Sequence, residues 1–333
     1  MRTKKQKNGQ RMIFTYILIV LGFITVSMAT PVQGQEAKFP SKPIEIIVPF
    51  PPGGSVDVGA RIISEFLSKE LKVPVIIRNQ AGGGGLIASA AFLKANPDGY
   101  TILAATGAIS TTVLLSKTPP FDPRKDLLPV GYIADTPIAM AVSKASPFKS
   151  FGDFLQFAKN NPGKLIGGVA NLGAEDHMMF NAIVMDAGIK TRLVPFQSGG
   201  ALVTALMGGH ADWISSSLPR VLPFERSGDV RVLLLTRPSK ELPGVSSGPD
   251  LGVPSFSSAI WIGIFVLPQT PKAVYNRLVS AVKMVTEAPE IAKKLVDAGF
   301  SVAYKDPKEF SAFINSQWEI SARIIKETGM KVN

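Results

Sequence analysis

The sequence predicts an α/β protein built in two blocks. Three observations carry this expectation. From Lys38 onward, short apolar runs alternate with helical patterns, the signature of strands and helices in turn, with largely parallel sheets. Two of those runs, 44–48 and 192–195, end in glycine-bearing turns that feed straight into helical patterns. A composition of 46% hydrophobic residues over 333 positions is ample for a large core, and the length suggests about two domains.

The first element to justify is the amino terminus. Arg2, Lys4, Lys5, Lys7 and Arg11 precede an uncharged apolar run over 12–28, and Ser27/Ala29 or Val32/Gly34 supply small residues for a cleavage point. Residues 1–34 are therefore expected to be a cleaved secretory signal. An uncleaved anchor is the alternative, since the run approaches membrane-spanning length.

Ile44, Ile46, Ile47 and Val48 then predict a buried strand, turned by Pro49-Phe50-Pro51-Pro52-Gly53-Gly54. A helix follows from Ser55, with Val58, Ile62, Phe66 and Leu67 on one face and Arg61, Glu65 and Lys69 on the other. Its first N–H groups lack helical partners and its dipole favours an anion, so the turn reads as an anion seat. Ser55 is the expected N-cap, and Asp57 complements the positive helix end. Residues 73–78 predict a strand, 79–85 a glycine-rich loop, and 86–96 a helix stopped by Pro97-Asp98-Gly99. Two further strands, 100–105 and 127–134, flank a loop rich in Thr and Pro.

A second block begins near Ile138. Ser150 and Asp153 cap a helix to Asn160, 165–170 is a strand, 171–176 a polar loop and 177–187 a helix. The strand 192–195 runs into Phe196-Gln197-Ser198-Gly199-Gly200 and a helix over 201–207, which repeats the opening arrangement. Strands over 211–215 and 230–236 follow, then an irregular surface loop over 238–254. The apolar run 260–267 opens the last part. Thr270 and Pro271 begin a helix to Val285, and Asp306, Pro307 and Glu309 begin the final one, which turns Phe310, Phe313, Ile314, Trp318 and Ile325 to the core.

The chemistry is defined mostly by elimination. Loss of the five signal cations, with no acid among residues 1–34, brings the formal charge from +11 to +6, and the excess is scattered without interleaved aromatics, so nucleic-acid binding is not expected. The absence of cysteine excludes disulfides, thiol nucleophiles, thiolate metal sites and a lipid-modified amino-terminal cysteine. No Gly-x-Ser-x-Gly elbow, His-Glu-x-x-His helix or Walker loop occurs. Glu175-Asp176-His177 is the one local ligand cluster, and three adjacent residues at a helix start cannot converge on one ion, so helix capping is the better reading and no metal is expected. Gly83-x-Gly85-x-x-Ala88 echoes a dinucleotide fingerprint, but the next strand ends in Ala-Thr-Gly instead of an acid, so a tight packing turn or a ligand-facing loop is preferred and no cofactor is expected.

What survives is a set of loops rich in Gly, Ser, Thr and Asn: 51–57, 81–85, 106–110, 171–176, 197–200 and 215–217. Such loops gather at the carboxyl ends of strands, where ligands bind. Two blocks let two groups of loops face each other, as in an exported solute-binding protein that closes over a small anion. Each hydrogen bond to a charge contributes about 1.5–3 kcal/mol, so a few would support micromolar affinity, about 8 kcal/mol.

Several motifs then resemble, in order, the Bug family of periplasmic substrate-binding proteins of tripartite tricarboxylate transporters. They are Pro40-Ser41-Lys42-Pro43-Ile44, Val48-Pro49-Phe50 through Gly53-Gly54 to Asp57 and Arg61, and Asn96-Pro97-Asp98-Gly99-Tyr100-Thr101. Phe121-Asp122-Pro123, Asn161-Pro162-Gly163-Lys164-Leu165, Gly208-Gly209 before Asp212, and Trp261-x-Gly263 ahead of Pro268 follow. The resemblance implies a two-domain periplasmic binding fold of type II character, with the ligand cleft between two mixed-sheet domains. It places domain 1 at 35–139 and 261–333 and domain 2 at 140–260. The implied role is to capture a small organic acid in the periplasm, as a monomer without a lipid anchor, and deliver it to membrane permease subunits.

In the family, backbone amides and bridging waters from two loops hold one ligand carboxylate. The loops correspond here to Phe50, Pro52, Gly53, Gly54, Ser55, Val56 and Asp57, and to Gln197, Ser198, Gly199, Gly200 and Ala201, with Asp57 capping its helix in preference to touching the ligand. Thr106, Asn171, Ala174, Glu175 and Ser216 complete the expected site. Two departures stand out: Phe196-Gln197 where relatives often carry Tyr-Lys, and Ala174-Glu175 where they usually place small hydroxyl residues. A glutamate facing a second ligand carboxylate is repulsive, so a monocarboxylate, or an acid with a neutral or cationic far end, is expected in preference to citrate. The competing classes are an exported α/β enzyme, with Asp57, His177 and Asp212 as its plausible acid–base residues, and a sensor subunit of a signalling system.

Overall fold

A computed structural model describes residues 39–170 and 172–331; the expected signal, 1–34, and Asn171 lie outside the described residues. The chain opens as β1 (Ile44–Val48), whose residues are nearly all buried, and turns into α1 (Ser55–Leu71). β2 (Val75–Asn79), α2 (Leu86–Phe92) and β3 (Thr101–Ala105) follow. β1 pairs in parallel with both β2 and β3. The expected Thr/Pro loop contains a helix, α3 (Ala108–Leu115); its Ser-Thr-Thr-Val segment is a poor helix former that tertiary burial overrides.

The next strand, β4 (Leu128–Ser143), runs nine residues beyond its expected end, because it serves both parts of the sheet. Then come α4 (Phe151–Asn160), closed by the expected Ser150/Asp153 capping box, β5 (Ile166–Val169), α5 (Glu175–Asp186), β6 (Arg192–Pro195), α6 (Gly199–Met207) and β7 (Trp213–Ser217). An unexpected helix, α7 (Leu218–Arg226), precedes β8 (Val230–Leu235). Pro219 sits in the first turn of α7, where no N–H is missed, and Pro223 lies within the helix. After the irregular segment, β9 (Ala259–Val266), α8 (Lys272–Glu287), α9 (Pro289–Asp297), β10 (Ser301–Lys305) and α10 (Pro307–Thr328) complete the fold. Thr270 does not cap α8, which starts at Lys272 with Pro271 as its unbonded N-cap; Asp306 caps α10 as expected, accepting from Lys308 and Glu309 amides.

The sheet order is β2-β1-β3-β9-β4-β7-β5-β6, with β8 and β10 also on β4. It is mixed, which corrects the expectation of largely parallel pairing: β9 lies antiparallel between β3 and β4. Along β4, Leu128 to Pro137 pair with β9, whereas Ile138 to Ala141 pair with β7 and Ala139 to Ser143 with β8. The strand thus leaves one part of the sheet and enters the other between Pro137 and Ile138. In the first part the parallel strands β1 and β3 end in α1 and α3; in the second, β5, β6 and β7 end in α5, α6 and α7. The Phe180 and Trp213 rings stack at 4.5 Å and 5°, which fixes α5 against β7.

Candidate functional site

The carboxyl ends of β1 and β3 meet those of β5, β6 and β7 around a cavity of ≈ 240 Å³. Its walls are the 50–56 turn, Thr106 and Ile260 from the first part, and Ala174, Glu175, Asp176, Ser198, Gly199, Gly200 and Arg220 from the second. Helix amino ends therefore converge on it from both sides, and each brings unpaired N–H groups and a positive dipole end.

The 50–56 turn is braced from beneath by Asp57, which lies buried and lines no cavity wall. Its carboxylate accepts from Gly53 N at 2.9 Å, Arg61 Nε at 2.9 Å and Asn79 Nδ2 at 2.8 Å. Burial pushes its pKa up, but these hydrogen bonds outweigh burial and hold it below the usual value. Asp57 is thus ionised and occupied, and it spends the Gly53 amide that the anion seat was expected to use. The N-cap is Gly54, without a side-chain bond, not Ser55; the Ser55 hydroxyl instead bonds Ser217 Oγ across the cleft. Ser55 and Val56 line the cavity, and their amides have no acceptor among the described residues. On the facing turn, Ser198 Oγ accepts from Ala201 N at 3.2 Å, which leaves the Gly199 and Gly200 amides.

Between the two turns sits Arg220, on the helix that sequence reading missed. Its side chain is only 11% exposed. Nη1 donates to Ser216 Oγ at 3.0 Å, Asp176 Oδ2 is 3.9 Å away, beyond hydrogen-bond reach, and Nε is buried without a partner among the described residues. Gly199 makes room for it, since a Cβ there would overlap the guanidinium, and a Cβ on Gly54 would lie 4.0 Å from Nη2. A buried cation so weakly paired is costly unless an anion completes it. Burial lowers the Arg220 pKa, opposed by Asp176.

Glu175 reaches the other way. Its Oε1 accepts the Ala108 amide at 3.0 Å, so a carboxylate from the second part caps α3 of the first, beside Thr106 Oγ1, which accepts the same amide at 3.0 Å. Burial raises its pKa to about 7. Asp176 instead turns to its own loop, accepting from Ala170 N and His177 N, and its pKa is raised by burial. His177 Nδ1 accepts from Gly173 N at 3.1 Å, and burial lowers its pKa to about 4, so the ring is neutral near pH 7. The three residues fan apart, with Glu175 capping a helix other than its own.

Of the expected site residues, Phe50, Pro52, Gly53, Gly54, Ser55, Val56, Thr106, Ala174, Glu175, Ser198, Gly199 and Gly200 line the cavity. Four do not. Asp57 braces the turn, Ala201 is spent on the Ser198 cap, Ser216 supports Arg220 from behind, and Gln197 lines a separate chamber of ≈ 710 Å³ with Phe50, Pro51, Phe196, Lys117 and the 82–85 loop. That glycine-rich loop packs closely and also lines this chamber: all four glycines have positive φ, and a Cβ on Gly84 would strike Thr112. Pro51 and Asp176, which lie in two of the expected loops but were not named as site residues, also line the smaller cavity, and so do Ile260 and Arg220, which lie outside those loops; Arg220 carried a usable signal, an arginine five residues after the polar strand end at Ser215. The enzyme candidates stay apart from the cavity, Asp212 accepting the Ile166 amide at 2.7 Å.

Helix amino ends closing on a cavity between two parts of a mixed sheet define the periplasmic binding protein class. Residues 59–330 match the tripartite tricarboxylate transporter family receptor, and the chain belongs to that family. Protein BugT of Bordetella pertussis is 29% identical over 327 residues, covering 96% of this chain and 100% of BugT. A solved structure described as a periplasmic transporter is 32% identical with a TM-score of 0.84, covering 89% of this chain and 100% of that one. R. palustris Rpa4515, solved with adipate, is 26% identical with a TM-score of 0.84 over 88% and 99%. The periplasmic binding protein BugD is 25% identical with a TM-score of 0.82, covering 88% of this chain and 99% of that one.

Proposed function

We propose that the protein captures a small organic acid in the periplasm and hands it to the membrane permease subunits of a tripartite transporter, as a monomer and without chemical change to the acid. The observation that carries this reading is Arg220, buried between the open amides of Ser55 and Val56 on one side and Gly199 and Gly200 on the other. A carboxylate there gains a guanidinium and several N–H donors, each worth about 1.5–3 kcal/mol. The relative solved with adipate supports a carboxylate as the ligand class. The lobes divide close to 139/140 and 260/261, and contacts to both bias the open–closed equilibrium towards closure.

Calorimetric titration with a panel of small carboxylates tests it. At least one binds the native protein and is recovered intact, and Arg220→Ala weakens it at least tenfold. Turnover of the acid points to the enzyme class instead, and an unchanged affinity in Arg220→Ala removes the guanidinium from the site.

A further inference from the structure

We infer that Glu175 is the specificity-determining residue of this cleft: its carboxylate fills the anion seat at the amino end of α3, so the ligand carries one carboxylate and an uncharged or cationic far end. This rests on the carboxylate reading above and names the substrate class within it.

The seat at α3 is built for a carboxylate. Ala108 N–H donates to Glu175 Oε1, and Trp261 Nε1, a buried donor without a partner among the described residues, lies nearby: a Cβ on Gly107 would lie 2.9 Å from Glu175 Oε1 and 3.1 Å from Trp261 Nε1. The protein supplies that carboxylate itself, from across the cleft, and Glu175 is only 3% exposed. A ligand acid thus has one open seat, at Ser55, Val56 and Arg220, and meets a resident acid at the other.

Charge on the cavity wall argues the same way. Its charged residues are Arg220 against Glu175 and Asp176. One ligand carboxylate finds the guanidinium. A second has no further cation among the described wall residues and approaches two acids in a desolvated space, where like charges repel once the acids are deprotonated, above about pH 7 for Glu175. A neutral amide or an ammonium at the far end avoids this, and an ammonium is attracted by the same acids.

The test compares matched pairs that differ by one charge at equal length: succinate with succinamate, glutarate with glutaramate, adipate with adipamate, titrated into the full-length mature protein at pH 8. The monoamide is expected to bind at least tenfold tighter in the best-binding pair, and Glu175→Gln to narrow that ratio below threefold, chiefly by a gain for the diacid. Equal or tighter diacid binding by the native protein overturns the inference, as does an unchanged ratio in a Glu175→Gln protein whose melting curve shows it folded. Should that variant not fold, the native ratios decide alone. No binding by any member of any pair is a distinct result: it removes the carboxylate reading, and this inference with it.

Discussion

The amino ends of α1 and α3 stand on adjacent strands, face the same cavity and obey the same electrostatics, yet one is open and the other is filled. At α1 the nearest acid, Asp57, turns back to bond Gly53, Arg61 and Asn79, so the Ser55 and Val56 amides stay free. At α3 Glu175 crosses the cleft and takes the first amide. A helix terminus supplies a favourable site for negative charge; whether it becomes a ligand site depends on which side chains reach it from elsewhere. Mutations at the filled end should therefore read in stability and selectivity, and mutations at the open end in affinity.

The largest expected effect tests the filled end through pH. Glu175 has a folded pKa of about 7, against 4.5 for an unfolded carboxyl. Between those values the native protein keeps a proton that the unfolded chain has lost. The associated stability is fully present below about pH 4.5 and is lost as pH rises through 7, at up to about 1.4 kcal/mol per unit and on the order of 3 kcal/mol in all. Glu175→Gln removes this slope and should gain on the native protein as pH rises, in urea unfolding from pH 4.5 to 7.5. His177 acts in the opposite sense: with a folded pKa of about 4, its contribution is present above pH 6.5 and is lost as pH falls. Glu175 and His177 partly cancel in the native protein, whereas the raised carboxyl of Asp176 acts in the same sense as Glu175, so the difference curve carries the test. Parallel curves for the two proteins would mean that Glu175 is not a buried cap.

A smaller effect probes the open end through its cation. Gly199→Ala places a Cβ where Arg220 now lies, 2.5 Å from Cδ and 2.6 Å from Cζ. The backbone there is not left-handed, so alanine itself is unstrained. The guanidinium must move, and affinity for the best-binding acid should fall by tenfold to a hundredfold, about 1.5–3 kcal/mol, in calorimetric titration. Retained affinity would separate Arg220 from the bound anion.

Much of this was legible in the chain. Where local rules decide, sequence reading succeeded: the capping box at Ser150 and Asp153, the Asp306 cap, and the strand 192–195 with the glycine turn after it. It failed where distant packing decides. The Ser-Thr-Thr segment of α3 and the two prolines of α7 argue against helices that tertiary contacts impose, and with α7 went Arg220. Ser55 and Asp57 were assigned by their habits near helix ends; partners from β2 and β7 redirect them. Glu175 was legible as an acid of the site that disfavours a second ligand carboxylate, but its cap on α3 was not, since the amide it accepts lies 67 residues earlier.

The smallest expected effect is also the sharpest test of the open seat, because it removes a single amide. Ser55 is the first residue of α1, a position where proline is well accepted, and Gly54 before it is extended at φ −74° and ψ 162°, as the residue preceding proline requires. Ser55→Pro should therefore keep the helix while removing both the amide and the hydroxyl bonded to Ser217. Ser55→Ala removes the hydroxyl alone. The two variants should unfold at similar temperatures, and their difference in affinity isolates one N–H donor to a charged oxygen, about 1.5 kcal/mol or roughly tenfold. If Ser55→Pro binds the acid as tightly as Ser55→Ala, the α1 amide makes no contact with the ligand, and the distinction between an open and a filled helix end loses its open member.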